Sequence, residues 1–328
     1  MAEMSRSERV AAALRGDLVD RVPVSAWWHD FEREWSPEGL AEATLEGYRT
    51  YGWDFVKVNP RATYYAEAWG ARYRPIPGRQ PELIEPHLRG PEDLARFEPL
   101  SLDEGPFAEQ LEALTLIARG LAGEAPFIQT VFSPLAVLSR GAGSTDAVRR
   151  CMAEDPAALE RALDAIADTL ARYAAACLDR GASGIFYATV EWGTRDTITP
   201  EEFDRFARPY DLRILAAVGS APFNVLHVCR ERNLLTHLLD YPVAAFHWAS
   251  RSPGNPTLAE VHQRTERAVM GGVDHRRTMA AGPEAIAAEA AEARATTGAR
   301  RFLLAPECAI PPTTPPAHLH ALREAAAA

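Results

Sequence analysis

Eight short apolar segments alternate with longer segments of helical periodicity along the chain, and this alternation constrains the fold more than any other feature. A parallel strand needs a crossover before the next strand can pair with it, and a helix usually supplies that crossover. The predicted strands are residues 22–27, 54–59, 127–132, 184–190, 224–229, 244–249, 268–274 and 301–308. Eight such units in 328 residues predict an α/β fold, a single-domain (β/α)8 TIM barrel spanning residues 1–328.

The barrel prediction has one irregular segment and one alternative. Residues 61–105 are rich in proline, glycine and aromatic residues and have no clear period, so we expect an excursion of short strands and loops near the barrel mouth. Residues 231–239 are predicted to form a helix. A doubly wound open sheet is the alternative fold, although the first βα turn lacks the Gly-x-Gly-x-x-Gly pattern of nucleotide-binding sheets.

Composition narrows the classes of partner. The formal net charge is −10, from 35 basic and 45 acidic residues, which disfavours nucleic acid because phosphate binding requires a basic surface. The chain has no apolar run long enough for a transmembrane helix, and no apolar signal segment follows the charged N-terminus. We therefore expect a cytoplasmic protein without a membrane partner, whose four cysteines are reduced thiols or ligands. The sequence leaves a homodimer open.

Two predicted strands end in residues that bind metals well. His227 and Cys229 are two positions apart on one strand, so their side chains project to the same side. The apolar run that ends at Cys308 carries a third such residue, and only the fold can bring it near the other two. A His/Cys/Cys set with one open position is the arrangement of a catalytic zinc site. The alternative, which spacing alone leaves open, is that the three are unrelated core residues.

Further polar residues fall at predicted strand ends, where barrel active sites form. Glu191 and Asp274 are candidate catalytic residues, either as a fourth ligand or as groups that position substrate; the alternative for each is a solvated acid at a strand end. The candidates for substrate binding are Trp27, His29, Asn59, Trp192 and Trp248. His247 and Trp248 are adjacent, so only one of them faces the interior, and we expect Trp248 to form a wall of the pocket.

The chain resembles the uroporphyrinogen decarboxylase superfamily in several segments. Residues 7–24, Ser-Glu-Arg-Val-Ala-Ala-Ala-Leu-Arg-Gly-Asp-Leu-Val-Asp-Arg-Val-Pro-Val, are similar to its N-terminus, and residues 308–315 are similar to its C-terminal segment. Phe132-Ser133-Pro134 and Gly184-Ile185-Phe186 also fit. The resemblance implies a (β/α)8 barrel with one of two activities. These are decarboxylation of uroporphyrinogen and zinc-dependent methyl transfer from methylcobalamin carriers to a thiol such as coenzyme M.

The resemblance is closer to the methyltransferase branch, which is marked by His-x-Cys and a distant Cys, here His227, Cys229 and Cys308. It therefore implies Zn²⁺ on these residues, a corrinoid (methylcobalamin) carrier protein as partner and a small thiol as substrate. The tryptophans would then offer a flat apolar surface to the corrin-bearing partner, or would simply pack between sheet and helices.

The decarboxylase branch carries an arginine-rich loop after its first strand, an aspartate after its second, and Gly-His-Gly before its last helix. At those places this chain has Trp27-Trp28-His29-Asp30, Val56-Lys57-Val58-Asn59 and Pro306-Glu307-Cys308. An anionic tetrapyrrole would be poorly paired without the arginines. Decarboxylation of a tetrapyrrole and a non-catalytic barrel with structural zinc or none are the alternatives to methyl transfer.

Overall fold

A parallel sheet of seven strands forms the centre of the molecule in the computed structural model, which describes residues 2–327. The sheet order is β1-β4-β5-β6-β7-β8-β9, and β2 and β3 form a separate antiparallel hairpin. The strands are β1 Val56–Val58, β2 Arg72–Ile76, β3 Arg79–Glu85, β4 Phe127–Phe132, β5 Gly184–Ala188, β6 Val225–Val228, β7 Ala245–Trp248, β8 Ala268–Val273 and β9 Phe302–Pro306.

α-Helices connect consecutive strands of the sheet, as the alternating pattern predicts, except between β6 and β7. The α-helices are α1 Arg6–Arg15, α2 Pro37–Tyr51, α3 Tyr64–Ala68, α4 Gly105–Leu121, α5 Pro134–Ala142, α6 Thr145–Glu154, α7 Pro156–Asp179, α8 Pro200–Phe206, α9 Arg208–Ala217, α10 Leu258–Arg264, α11 Arg277–Ala281, α12 Pro283–Thr297 and α13 Pro316–Ala325. Short 3-10 helices cover Pro91–Arg96, Val190–Trp192 and Leu235–His237. In residues 2–327, none of the helices combines the length and apolar character needed to cross a membrane.

The segment predicted as the first strand, residues 22–27, forms a single parallel bridge and not a regular strand. Val24 pairs with Leu304 of β9, and Leu304 N donates to Pro23 O at 2.9 Å. On the other side, Asp54 N donates to Val24 O at 2.9 Å, just before β1. Pro23 has no N–H to extend the ladder. The segment thus lies between the two edge strands of a curled sheet, an arrangement consistent with the predicted barrel.

Alternate residues of each strand face two different cores. One face packs against the helices, and the other forms a smaller buried cluster inside the curled sheet that includes Trp27, Phe186, Val225 and Ala245. Because strand residues alternate, the interior position of Val225 directs His227 inward.

Two local structures near the strand ends differ from simple βα connections. Within residues 61–105 the β2–β3 hairpin contacts α5, where the Tyr73 hydroxyl donates to Arg140 O at 2.6 Å. The predicted helix over 231–239 is wrong, since only one turn of 3-10 helix forms there. Arg230 and Arg232 have φ of 72° and 47°, left-handed values that a helix does not accommodate.

Candidate metal centre

His227, Cys229 and Cys308 converge at the carboxyl ends of β6 and β9. His227 Nε2 lies 3.2 Å from Cys229 Sγ and 3.8 Å from Cys308 Sγ, and the two sulfurs are 3.8 Å apart. His227 is buried, and both cysteines are half-buried. β6 and β9 are separated by two strands in the sheet order, so the curl of the sheet brings their ends together.

These separations fit a tetrahedral zinc ion. Bonds of about 2.3 Å to sulfur and about 2.05 Å to nitrogen place tetrahedral ligands about 3.8 Å apart for two sulfurs and about 3.6 Å apart for sulfur and nitrogen. All three observed distances lie within a few tenths of an ångström of these values. Within residues 2–327 no aspartate or glutamate joins the group, so a fourth position is left for an incoming ligand.

A second buried histidine, His247, contacts His227 and fixes the tautomer of the His227 ring. His247 Nε2 lies 2.9 Å from Pro306 O, which only accepts, so this nitrogen carries the proton. Burial, with the nearby His227, holds the pKa of His247 well below its usual value, so the ring is neutral and its Nδ1 is an acceptor. His227 Nδ1, 2.7 Å away, must then donate to it. This leaves a bare lone pair on His227 Nε2, the atom that faces the two sulfurs.

The two thiols differ in their readiness to ionise. The hydrogen bond from the Cys229 thiol holds the pKa of Cys308 well below its usual value, and the same contact raises that of Cys229. Cys308 is therefore the first thiolate of the pair. A divalent cation replaces the remaining proton when both sulfurs become ligands.

Lys57 is a buried lysine at this site that was not among the residues predicted from the sequence. Its Nζ lies 4.8 Å from the Phe186 ring centre and 5.5 Å from that of Trp27, and it donates to Asn59 Oδ1. Burial lowers the pKa of Lys57 to about 7, although the charges of Cys308, Cys229 and Glu34 oppose the shift. A lysine between two valines of an apolar strand is the signal that would have found it.

Trp27, His29 and Asn59 lie on the β1 side of the strand ends. The Trp27 ring packs edge-on against His247, with ring centres 5.2 Å apart. His29 Nδ1 lies 2.7 Å from Glu34 Oε2. Trp27 and Asn59 line one cavity together with Lys57 and Glu34. A substrate contact by Trp27 or Asn59 thus stays a geometrically sound proposal, whereas His29 is engaged with Glu34.

The remaining predicted site residues do not contact the ligand group. Glu191 accepts from Ser139 Oγ and lies 3.5 Å from Arg140, in a second, polar pocket. Trp192 is fully buried and donates to Ser139 Oγ at 3.2 Å. Asp274 Oδ1 accepts from two backbone N–H groups at the start of α11, at 2.9 and 2.7 Å. A ligand role for either acid is therefore not supported by this geometry.

Trp248 faces away from the site, which corrects its predicted place as a pocket wall. Its indole lies in the layer between sheet and helices and donates to Pro256 O at 2.8 Å. The cause is register. His227 of β6 pairs with His247 of β7, and paired residues of parallel strands project to the same face. His247 therefore takes the interior position, and its neighbour points outward.

The fold and the ligand group define an α/β protein with a candidate zinc centre at the carboxyl ends of its strands. The chain belongs to the uroporphyrinogen decarboxylase (URO-D) family, whose model matches residues 5–328. The predicted family is thus confirmed.

Some of the proteins similar to this chain are methyltransferases, and others are uroporphyrinogen decarboxylases. Methylcobamide:CoM methyltransferase MtaA of Methanosarcina barkeri is 27% identical over 340 residues, which cover 98% of this chain and 97% of that protein. A uroporphyrinogen decarboxylase of Syntrophotalea carbinolica is 28% identical over 212 residues, 62% of this chain and only 59% of that protein. A solved methyltransferase from Methanosarcina mazei superimposes with a TM-score of 0.84 over 98% of both chains at 24% identity, which establishes a shared fold.

Proposed function

We propose that this protein is a zinc-dependent methyltransferase that moves a methyl group from a corrinoid carrier protein to a small thiol. The ligand geometry carries the proposal, because three soft donors stand at tetrahedral zinc separations with a fourth position open. Both cysteine residues are half-buried, so the ligand group is not sealed inside the core. The proposal includes a closed (β/α)8 barrel, in which residues 22–27 complete the ring between β9 and β1 as its eighth strand. It also includes a cytoplasmic location.

Each residue of the centre has a definite task in this proposal. Zn²⁺ on His227, Cys229 and Cys308 would lower the pKa of an acceptor thiol and keep its sulfur nucleophilic. His247 holds the lone pair of His227 toward the metal. The two cysteine thiolates offset the charge of the cation, which suits a sulfur that must attack carbon. Trp27 and Phe186 form the apolar floor beside the centre.

Two arginines on the β1 side of the strand ends are already paired with acids, which argues against an anionic tetrapyrrole as substrate there. Arg33 pairs with Asp30 at 2.7 Å and with a second acid, Glu46, at 2.6 Å. Arg61 is likewise held by two glutamates. A porphyrinogen with many carboxylates would find these guanidinium groups already neutralised, and desolvating its own charges would go uncompensated.

Metal analysis combined with cysteine variants tests the proposal. We expect one zinc per chain in the wild type, its loss in Cys229→Ser and Cys308→Ser, and its retention in Cys177→Ala, a matched control in the buried core. Zinc-loaded protein should transfer the methyl group of methylcobalamin to added thiols. Metal-free protein that decarboxylates uroporphyrinogen would refute the proposal. Zinc whose removal unfolds the chain would assign it a structural role.

A further inference from the structure

A small cavity of about 50 Å³ lies on the β1 side of the strand ends. It lies between the segment at residues 25–28, α2 and β1. Its lining includes Trp27, Trp28, Glu34, Trp53, Lys57 and Asn59.

Three buried polar atoms of this lining have no hydrogen-bond partner: Glu34 Oε1, Trp53 Nε1 and Asn59 Nδ2. Glu34 and Trp53 are only 1% and 2% exposed. The other atoms of these groups are occupied, because Glu34 Oε2 contacts His29 and Asn59 Oδ1 accepts from Lys57. Unpaired buried groups are rare in native proteins, and three in one cavity indicate a missing ligand or water. The cavity therefore offers one carboxylate acceptor and two N–H donors.

The cavity adjoins the metal centre through two shared residues. The Trp27 ring contacts that of His247, and His247 contacts His227. Trp27 O also accepts from the N–H of Ile310, two residues beyond Cys308, at 3.0 Å. Lys57 lines the cavity and lies within the electrostatic reach of Cys229 and Cys308. The cavity and the metal centre thus share a wall that contains Trp27 and Lys57.

We propose that the cavity holds the tail of the acceptor thiol and that this tail is zwitterionic, as in an amino-acid thiol. The inference rests on the proposed function and names its substrate class. An ammonium group would donate to Glu34 Oε1, and a carboxylate would accept from Asn59 Nδ2 beside Lys57 Nζ. A tail with only negative charge would leave Glu34 without a donor and place a second anion beside it.

Calorimetric titration of zinc-loaded protein with three thiols tests the assignment. The probes are L-homocysteine, which is zwitterionic, 2-mercaptoethanesulfonate, which is anionic, and 2-mercaptoethanol, which is uncharged. We expect L-homocysteine to bind at least about tenfold more tightly than the other two. Glu34→Gln keeps the side-chain volume and removes the charge. It should weaken L-homocysteine at least about tenfold and leave the sulfonate thiol unchanged or tighter. Glu42→Gln, on the exposed face of α2, is the matched control and should change neither affinity.

A thioether probe separates this inference from the proposed function. L-methionine carries the same zwitterion without a thiol, so its binding to metal-free protein reports on the cavity alone. If the chain takes up no zinc, the proposed function fails, yet L-methionine binding that Glu34→Gln weakens would still support the cavity assignment. Three outcomes would overturn it. The sulfonate thiol binds as tightly as L-homocysteine, Glu34→Gln weakens all three thiols equally, or no probe binds and the cavity holds water only.

Discussion

Replacing His247 by phenylalanine tests how the candidate centre prepares its histidine ligand. In the wild type, His247 accepts from His227 Nδ1 at 2.7 Å and donates to Pro306 O at 2.9 Å, with no part of its side chain exposed. Phenylalanine has nearly the same shape and neither nitrogen. The His227 ring then has no partner that fixes its tautomer, and its N–H is buried without an acceptor.

The expected losses of zinc affinity and of folding stability follow from these two hydrogen bonds. Removing the partner of a ligating histidine typically weakens metal affinity about 10- to 100-fold, or about 1.4–2.7 kcal/mol. The orphaned Pro306 carbonyl adds a cost of about 1–3 kcal/mol to folding stability whether or not metal is bound. The filled ring volume avoids a cavity, so the two effects stay separable: zinc affinity reports on the first, and urea unfolding of metal-free protein reports on the second.

Competition with a chelator of known affinity at pH 7 measures the zinc Kd. His247→Gln is the matched variant, because its amide offers one acceptor and one donor and should recover part of the lost affinity. Cys229→Ser marks the effect of losing a direct ligand. A Kd for His247→Phe within twofold of wild type, in a protein where Cys229→Ser abolishes binding, would refute the tautomer argument.

Three further substitutions have clear expectations. Arg9→Met removes a buried guanidinium that lies 2.6 Å from Asp20 and 2.8 Å from Asp54, and should cost about 3–5 kcal/mol in urea unfolding; a cost below about 1 kcal/mol would contradict it. Burial raises the pKa of Asp211 to about 7, against the hydrogen bonds from two tyrosine hydroxyls. Protonated Asp211 therefore adds its full contribution to the free energy of unfolding below about pH 4. That contribution is lost as pH rises through 7, a change on the order of 4 kcal/mol at most. Asp211→Asn should lack this dependence when unfolding is measured from pH 4 to 8, and an unchanged slope would contradict the assignment. Trp248→Phe should lower stability by roughly 1 kcal/mol and leave zinc content and thiol binding unchanged; lost zinc would show that Trp248 supports the centre.

The sequence pattern predicted the parallel sheet because every strand is a short apolar run followed by a helical segment. Seven predicted strands match observed ones to within two residues at each end. Residues 22–27 have the right apolar pattern and the right place, but Pro23 interrupts the ladder. The helix expected over 231–239 fails because apolar periodicity carries no information about the left-handed backbone at Arg230 and Arg232.

Alternation along one strand predicted that His227 and Cys229 would lie side by side, and the barrel prediction brought Cys308 toward them. The positions of His247 and Lys57 relative to the ligands could not be predicted from alternation, because they depend on how neighbouring strands are paired. Alternation indicated that His247 and Trp248 face opposite sides, but the choice between them depends on the register of β7 against β6. Lys57 is recognisable as unusual within its strand, yet its proximity to the two thiols depends on how the sheet curls.

The charges around the candidate centre explain why a histidine, and not a carboxylate, stands behind His227. Two cysteine thiolates would balance the two charges of Zn²⁺, and a neutral His247 adds none. A carboxylate in its place would give the centre a net negative charge in a buried site, which would oppose the approach of an anionic sulfur. Lys57, whose pKa burial lowers to about 7, and Glu34 both line the cavity proposed for the acceptor tail. A zwitterionic acceptor tail adds no net charge beside them, whereas a purely anionic tail does, so the cavity favours the zwitterionic class.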